Sequence, residues 1–150
     1  MKPTPANWPR ISSSVYYDDA RKAIDWLCEA FGFEVQMKVE GKGGRIEHSE
    51  LVFGGGLIMV GSADDPKSDK FPHRRSPGQI GGSNTQNLFV YVDDVEAHCA
   101  RARAAGAKIV TAPTTTDYGA EYWSDRTYEC EDVGGHHWWF AQRVRDPKKA

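Results

Sequence analysis

Long apolar runs are missing from this sequence. LIMV at 57–60 has four residues and no run exceeds five, far below the ~18 needed to cross a bilayer. No membrane partner is expected. The opening MKPTPANWPR carries no apolar core of the kind a signal peptide needs. Cysteine is scarce too. Cys28, Cys99 and Cys130 fit no zinc spacing and leave one thiol over in any disulfide scheme. Reduced thiols and a cytoplasmic location are the expectation. Neither charge sign dominates: nineteen basic residues stand against twenty-one acidic ones, a net charge of −2. Nucleic acid needs a concentrated basic face, so it is not an expected partner. A chain of 150 residues buries roughly 68–70% of its unfolded surface. It needs no staple to fold.

What the sequence does have is an internal repeat. Shifted by 75, VYYDDARKAIDWLCEAFGFEV (15–35) lies over VYVDDVEAHCARARAAGAKIV (90–110). Val15 meets Val90, Tyr16 meets Tyr91, and Asp18–Asp19 meets Asp93–Asp94; one residue is lost before the closing glycine, Gly32 against Gly106. Shifted by 80, FGGGLIMVG (53–61) lies over VGGHHWWFA (133–141). The two shifts agree in order and nearly in size, the signature of a duplicated unit.

Both copies read alike. A segment rich in branched and aromatic residues, 10–17 or 87–92, predicts a strand. The Asp-Asp pair that follows is an N-cap signal. Ala20, Ala23, Ile24, Leu27, Cys28 and Phe31 recur at the spacing of one helical face, as do Val95, His98, Cys99, Ala102 and Ala105. A glycine ends each helix. Three shorter strands are expected next: 33–40, 45–53 and 57–62, then 107–112, 125–132 and 136–142. In each copy the last two join at a Gly-rich turn, read as a hairpin. The unit is βαβββ, twice, at 10–62 and 87–143, with tails at 1–9 and 144–150. Residues 63–86 form a connection too long to be ordinary. They read as a linker, a lid or a dimer contact, in which His73, Arg74 and Arg75 would meet an anionic group.

Two βαβββ units, the VDD helix start and the ending DRTYECEDVGGHHWWFAQ resemble the vicinal oxygen chelate superfamily, and within it the small glyoxalase/bleomycin-resistance-like members. Where those relatives often read DPEGH, this chain reads DVGGH at 132–136. The resemblance implies one α+β domain over 10–143, in which both modules form an open, curled mixed sheet around a concave cavity with helices outside. It implies a homodimer. It also implies four metal-ligand positions, one on the first and one on the last strand of each module: Ser12, Met59, Asn87 and Trp139. A hydroxyl, a thioether, a carboxamide and an indole do not suit a catalytic divalent ion, which takes imidazole, carboxylate or thiolate. Neither metal nor other cofactor is expected.

Strand parity divides the GGHHWWFAQ stretch. With Trp139 facing the cavity, His137 and Ala141 join it. His136, Trp138 and Phe140 turn toward the outer helix, with His136 a partly exposed turn residue and the two rings core. A two-residue turn at Gly54 and Gly55 places Glu50 opposite Met59 and puts His48 and Glu50 on the inner face as a potential acid–base pair. The same logic in the second module sets Cys130 opposite Trp139, with Tyr128 beside it. Ser12, Ser14, Asn87, Phe89 and Tyr91 join the inner face, and Trp123 the mouth. The sequence thus points to a protein that binds a small aromatic or cationic molecule, as drug-sequestering relatives do. The alternatives are a glyoxalase-like lyase, isomerase or dioxygenase working through an atypical metal site or through His48 and Glu50 as a metal-free acid–base pair, and a dimer with no ligand.

Overall fold

The computed structural model describes residues 1–67 and 70–148. The chain divides into two compact units, Met1–Ser83 and Asn84–Ala150. Each contains one βαβββ module, giving an α+β fold with two four-stranded mixed sheets and two helices.

In the first unit β1 (Ser13–Tyr17) leads into α1 (Ala20–Phe31), then β2 (Glu34–Glu40), β3 (Ile46–Phe53) and β4 (Gly56–Ser62). The sheet order is β1-β4-β3-β2, with β1 parallel to β4 and the other pairs antiparallel. Asp19 caps α1 by accepting from the Lys22 amide at 3.0 Å, which satisfies one of the free donors of the first turn. Gly32 ends the helix at φ 83°, a left-handed conformation that a Cβ would penalise. Ala20, Ala23, Ile24, Leu27, Ala30 and Phe31 form the buried stripe. It packs on Val15, Tyr17, Leu51 and Val60, each at most 5% exposed.

In the second unit β5 (Leu88–Tyr91) leads to α2 (Val95–Ala104), then β6 (Lys108–Asp117), β7 (Ser124–Glu131) and β8 (His137–Arg145), in the order β5-β8-β7-β6. Asp94 caps α2 through the Ala97 amide at 3.0 Å. The inner face of α2 is small, with Val95, Cys99 and Ala102 buried. Large rings from the sheet fill the space beneath it. Trp138, Phe140 and Tyr128 are wholly buried; Phe140 stacks on Tyr128 at 5.2 Å and on Trp138 at 6.1 Å. From α2 the His98 ring lies 4.2 Å from Phe140, and its Nδ1 meets the Tyr128 hydroxyl at 2.7 Å.

The strands fall where the sequence puts them, with two extensions. The strand expected to stop at 142 runs to Arg145, into the segment expected to be a tail. The strand expected to stop at 112 continues to Asp117. Its Thr-rich end is β-branched, and Pro113 is tolerated because β6 is an edge strand with a register shift at that place.

Candidate ligand-binding site

The first unit brings together most of its predicted residues. Phe53 pairs with Gly56 across Gly54 and Gly55, so Glu50 stands opposite Met59, and Ser14 flanks Met59 from the other side. The Ser14 hydroxyl lies 4.0 Å from the Met59 sulfur. A register shift between Val39 and Glu40 returns Ile46 to the helix side with Leu51, while His48 stays with Glu50. The His48 Nε2 is 3.0 Å from Glu50 Oε1, and Gln36 donates to Glu50 Oε2 at 2.8 Å. Glu50 is only 5% exposed. The hydrogen bonds from His48 and Gln36 hold its carboxyl below the ordinary glutamate range, against the opposing effect of desolvation.

A hollow of about 140 Å³ opens on this face between Ser14, Tyr16, His48, Met59, Gly61 and Arg74. A larger one, of about 410 Å³, lies between residues of the segment 4–9 and Gln36, Val52 and the 54–56 glycines. No predicted site residue lines the larger hollow. Gln36 is a functional candidate missing from the predicted site: it sits at a shift in pairing between Val35 and Met37, which no periodicity announces. Of His73, Arg74 and Arg75, expected to meet an anionic group, Arg74 lines the smaller hollow.

In the second unit the expected pairing of Cys130 with Trp139 is wrong by one residue. Trp139 lies between Phe89 and Glu129, and Cys130 pairs with Trp138. The cause is the turn. Asp132 donates its amide to the His136 carbonyl at 2.9 Å, which leaves a three-residue loop, 133–135, with Gly135 at φ 89°. The first module has two residues there. An odd loop reverses the parity, so Tyr128 and Cys130 belong to the core and leave the ligand surface; both are 0% exposed. Burial pushes the Cys130 thiol up to about 12. His136, expected at the surface, is buried, its amide held by the Asp132 carboxylate at 3.0 Å.

The correct register exposes a second His–Glu pair. His137 Nδ1 lies 2.9 Å from Glu129 Oε1, and its Nε2 is 3.9 Å from Glu131 Oε2. In both units a glutamate therefore faces the key last-strand residue, Met59 or Trp139, and meets a histidine. Beside this pair runs a surface of rings. Phe89, Tyr91, Tyr118, Tyr122 and Trp123 are each between 37% and 59% exposed. Phe89 meets Tyr91 at 5.5 Å, and Trp123 meets Tyr118 at 5.2 Å and Tyr122 at 6.3 Å. Arg143 lies over both Tyr91 (5.5 Å) and Trp123 (5.6 Å). It donates to Asp125 at 2.6 Å and to the Tyr91 hydroxyl at 2.6 Å, while that hydroxyl donates to Asp125 at 3.1 Å. Asp125 is buried, so these bonds neutralise its charge and lock the Tyr91 ring.

The four metal positions fare no better in three dimensions. The Ser12 hydroxyl is buried without a partner among the described residues, and the Asn87 carbonyl oxygen is already taken by Asn84 at 2.7 Å. Among the described residues no group of three or more His, Cys, Asp or Glu is arranged to hold a metal ion. The residues present do not fit the metal of the superfamily.

Comparison with known proteins agrees with this architecture. The family profile described as Glyoxalase/Bleomycin resistance protein/Dioxygenase superfamily matches residues 10–140. An uncharacterised protein of Mycobacterium bovis is 33% identical over 138 residues, covering 92% of this chain and 86% of the relative. The crystal structure of TioX from Micromonospora sp. ML1 superposes with a TM-score of 0.69 at 29% identity, covering 91% of this chain and 100% of the other. TnmS3 from Streptomyces sp. CB03234, described as an antibiotic binding protein, gives 0.62 at 25% identity, with 89% and 93% covered.

Proposed function

Because the chain belongs to the Glyoxalase/Bleomycin resistance protein/Dioxygenase superfamily, we propose that it binds and sequesters a small planar aromatic molecule on the ring surface of its second unit. One observation carries the reading: five large rings stay a third or more exposed in two contacting groups, Phe89 with Tyr91 and Trp123 with Tyr118 and Tyr122, which Arg143 bridges. Rings held by their neighbours lose little freedom when a flat ligand stacks on them. Among the two ligand types the sequence suggests, aromatic is favoured over cationic. Arg143 already occupies one face of Tyr91 and of Trp123, the place a cation would take. TnmS3, a relative in fold, is described as an antibiotic binding protein, which supports the binding of a small molecule.

The test is a fluorescence titration with an uncharged anthraquinone. Tryptophan emission is expected to be quenched in the wild type and in Trp138→Phe. Trp123→Ala should weaken binding about tenfold, the scale of one good aromatic contact. Equal affinity in Trp123→Ala and the wild type sinks the reading.

A second reading, a glyoxalase-like lyase, isomerase or dioxygenase, draws on the 3.0 Å contact between His48 and Glu50. Glu50 stays ionised and orients the imidazole, so His48 is the group that would move a proton. On that reading His48→Gln lowers turnover by about 100-fold or more, while anthraquinone binding by the second unit is unchanged.

A further inference from the structure

Arg74 stands apart from the other arginines of the first unit. Arg10 donates to the Lys2 carbonyl, Arg21 to Glu40, and Arg45 to Asp64 and two carbonyls. Arg75 is wrapped by the carbonyls of Asp64, Asp65 and Pro66. Arg74 has a buried Nε without any acceptor among the described residues. Its guanidinium is instead held by ring faces, 3.8 Å from the Phe71 centroid and 5.7 Å from that of Tyr16. Stacking fixes the plane of the fork and leaves the donors at its edge unspent. A buried donor without an acceptor is rare in folded proteins and asks for an explanation.

The side chain lines the hollow of about 140 Å³, with Ser14, His48 and Met59 on other walls. Gly61 lies at its base, and a Cβ there would stand 3.4 Å from the Tyr16 ring. The missing methyl leaves that space open. Glu47 is the one carboxylate on the wall whose charge opposes an anion. It is half exposed and is paired with Arg45 at 3.4 Å. Glu50 behind it is committed to His48 and Gln36.

We infer that this hollow is a binding site for the carboxylate of a small organic acid, anchored by Arg74. The guanidinium fork takes a carboxylate through two parallel hydrogen bonds. Ser14 offers a further donor, and Tyr16 and Met59 offer apolar contact to the body of the acid. The site belongs to the first unit and does not depend on the aromatic surface of the second.

The experiment uses the ¹⁵N-labelled full chain, following the side-chain Nε–H resonance of Arg74, identified by its loss in Arg74→Lys. Benzoate is expected to move that resonance in a saturable way, and its neutral isostere benzamide is expected to bind at least tenfold more weakly. Arg74→Gln should lower benzoate affinity at least tenfold, Arg74→Lys less, and Lys42→Gln, exposed and away from the hollow, not at all. Backbone resonances of each variant report folding independently. Equal binding of benzoate and benzamide overturns the inference. So does unchanged benzoate affinity in folded Arg74→Gln, which would leave Arg74 a purely structural stacking residue. Anthraquinone binding read by tryptophan quenching reports the second-unit surface separately.

Discussion

Trp138 and Trp139 are neighbours in sequence with opposite fates. Trp138 is fully buried and donates its indole N–H to Asp132 at 2.9 Å. The other oxygen of Asp132 takes the amides of Gly134 and His136. Removing the indole leaves both a void and a buried carboxylate oxygen without its donor. Trp138→Phe should therefore cost about 2–4 kcal/mol in chemical denaturation, whereas Trp139→Phe, at a half-buried position, should cost less than about 1 kcal/mol. The sequence separates the two indoles onto opposite faces because strand parity needs only the local pattern. It does not reveal Asp132 as the partner, since that contact depends on the turn. Glu50 gives a second prediction. Its carboxyl is held below the ordinary value of 4.5, so its folded form binds a proton less readily than its unfolded form. The stabilisation is present above about pH 4.5 and is lost as the pH falls through the lower folded value. Glu50→Gln should lower the urea midpoint at pH 7, and the gap from wild type should close toward pH 3. A gap that widens on acidification contradicts the assignment.

At the scale of elements, helices and strands are legible because each is encoded by its own period and its own caps. Asp19 and Asp94 occupy the second position of the repeated Asp-Asp pair and cap both helices. Asp19→Ala and Asp94→Ala should each cost about 1 kcal/mol of stability. Turns are less legible. GGG at 54–56 and GG at 134–135 look alike, yet one closes on two residues and the other on three. That single residue decides whether Glu129 or Cys130 faces Trp139, and so hides the His137–Glu129 pair from the sequence. Deleting Gly134 would force a two-residue turn and drive Trp138 and Phe140 out of the core or Trp139 into it. The expected result is loss of near-ultraviolet dichroism and more than about 4 kcal/mol of stability. A deletion variant with native melting behaviour would show that the register is fixed by packing alone.

For the whole molecule, duplication is what makes the fold readable from one sequence, because each copy checks the other. The same duplication misleads where the copies diverge, as in the turn. Arg74 lies outside both copies, in the connecting segment, and no repeat position tests it. The three thiols offer a readout of both units together. None of the three forms a disulfide: Cys28 is half-buried on α1, while Cys99 and Cys130 lie in the core of the second unit. Burial raises all three, and Asp25 and Glu34 add to the rise at Cys28. The thiolate is the reactive form, so near pH 8 each thiol should react slowly with a chromogenic disulfide. Cys28 should react first, and without unfolding. Cys99 and Cys130 share one core beneath α2, so they should become reactive together, at the rate at which that core opens. One thiol per chain in the native state, and two more arriving in a single later phase, is the expected course. Separate phases for Cys99 and Cys130 would mean that α2 detaches from the sheet before the sheet itself opens. The space beneath a small-residue helix would then be less tightly filled by Trp138, Phe140 and Tyr128 than their burial indicates.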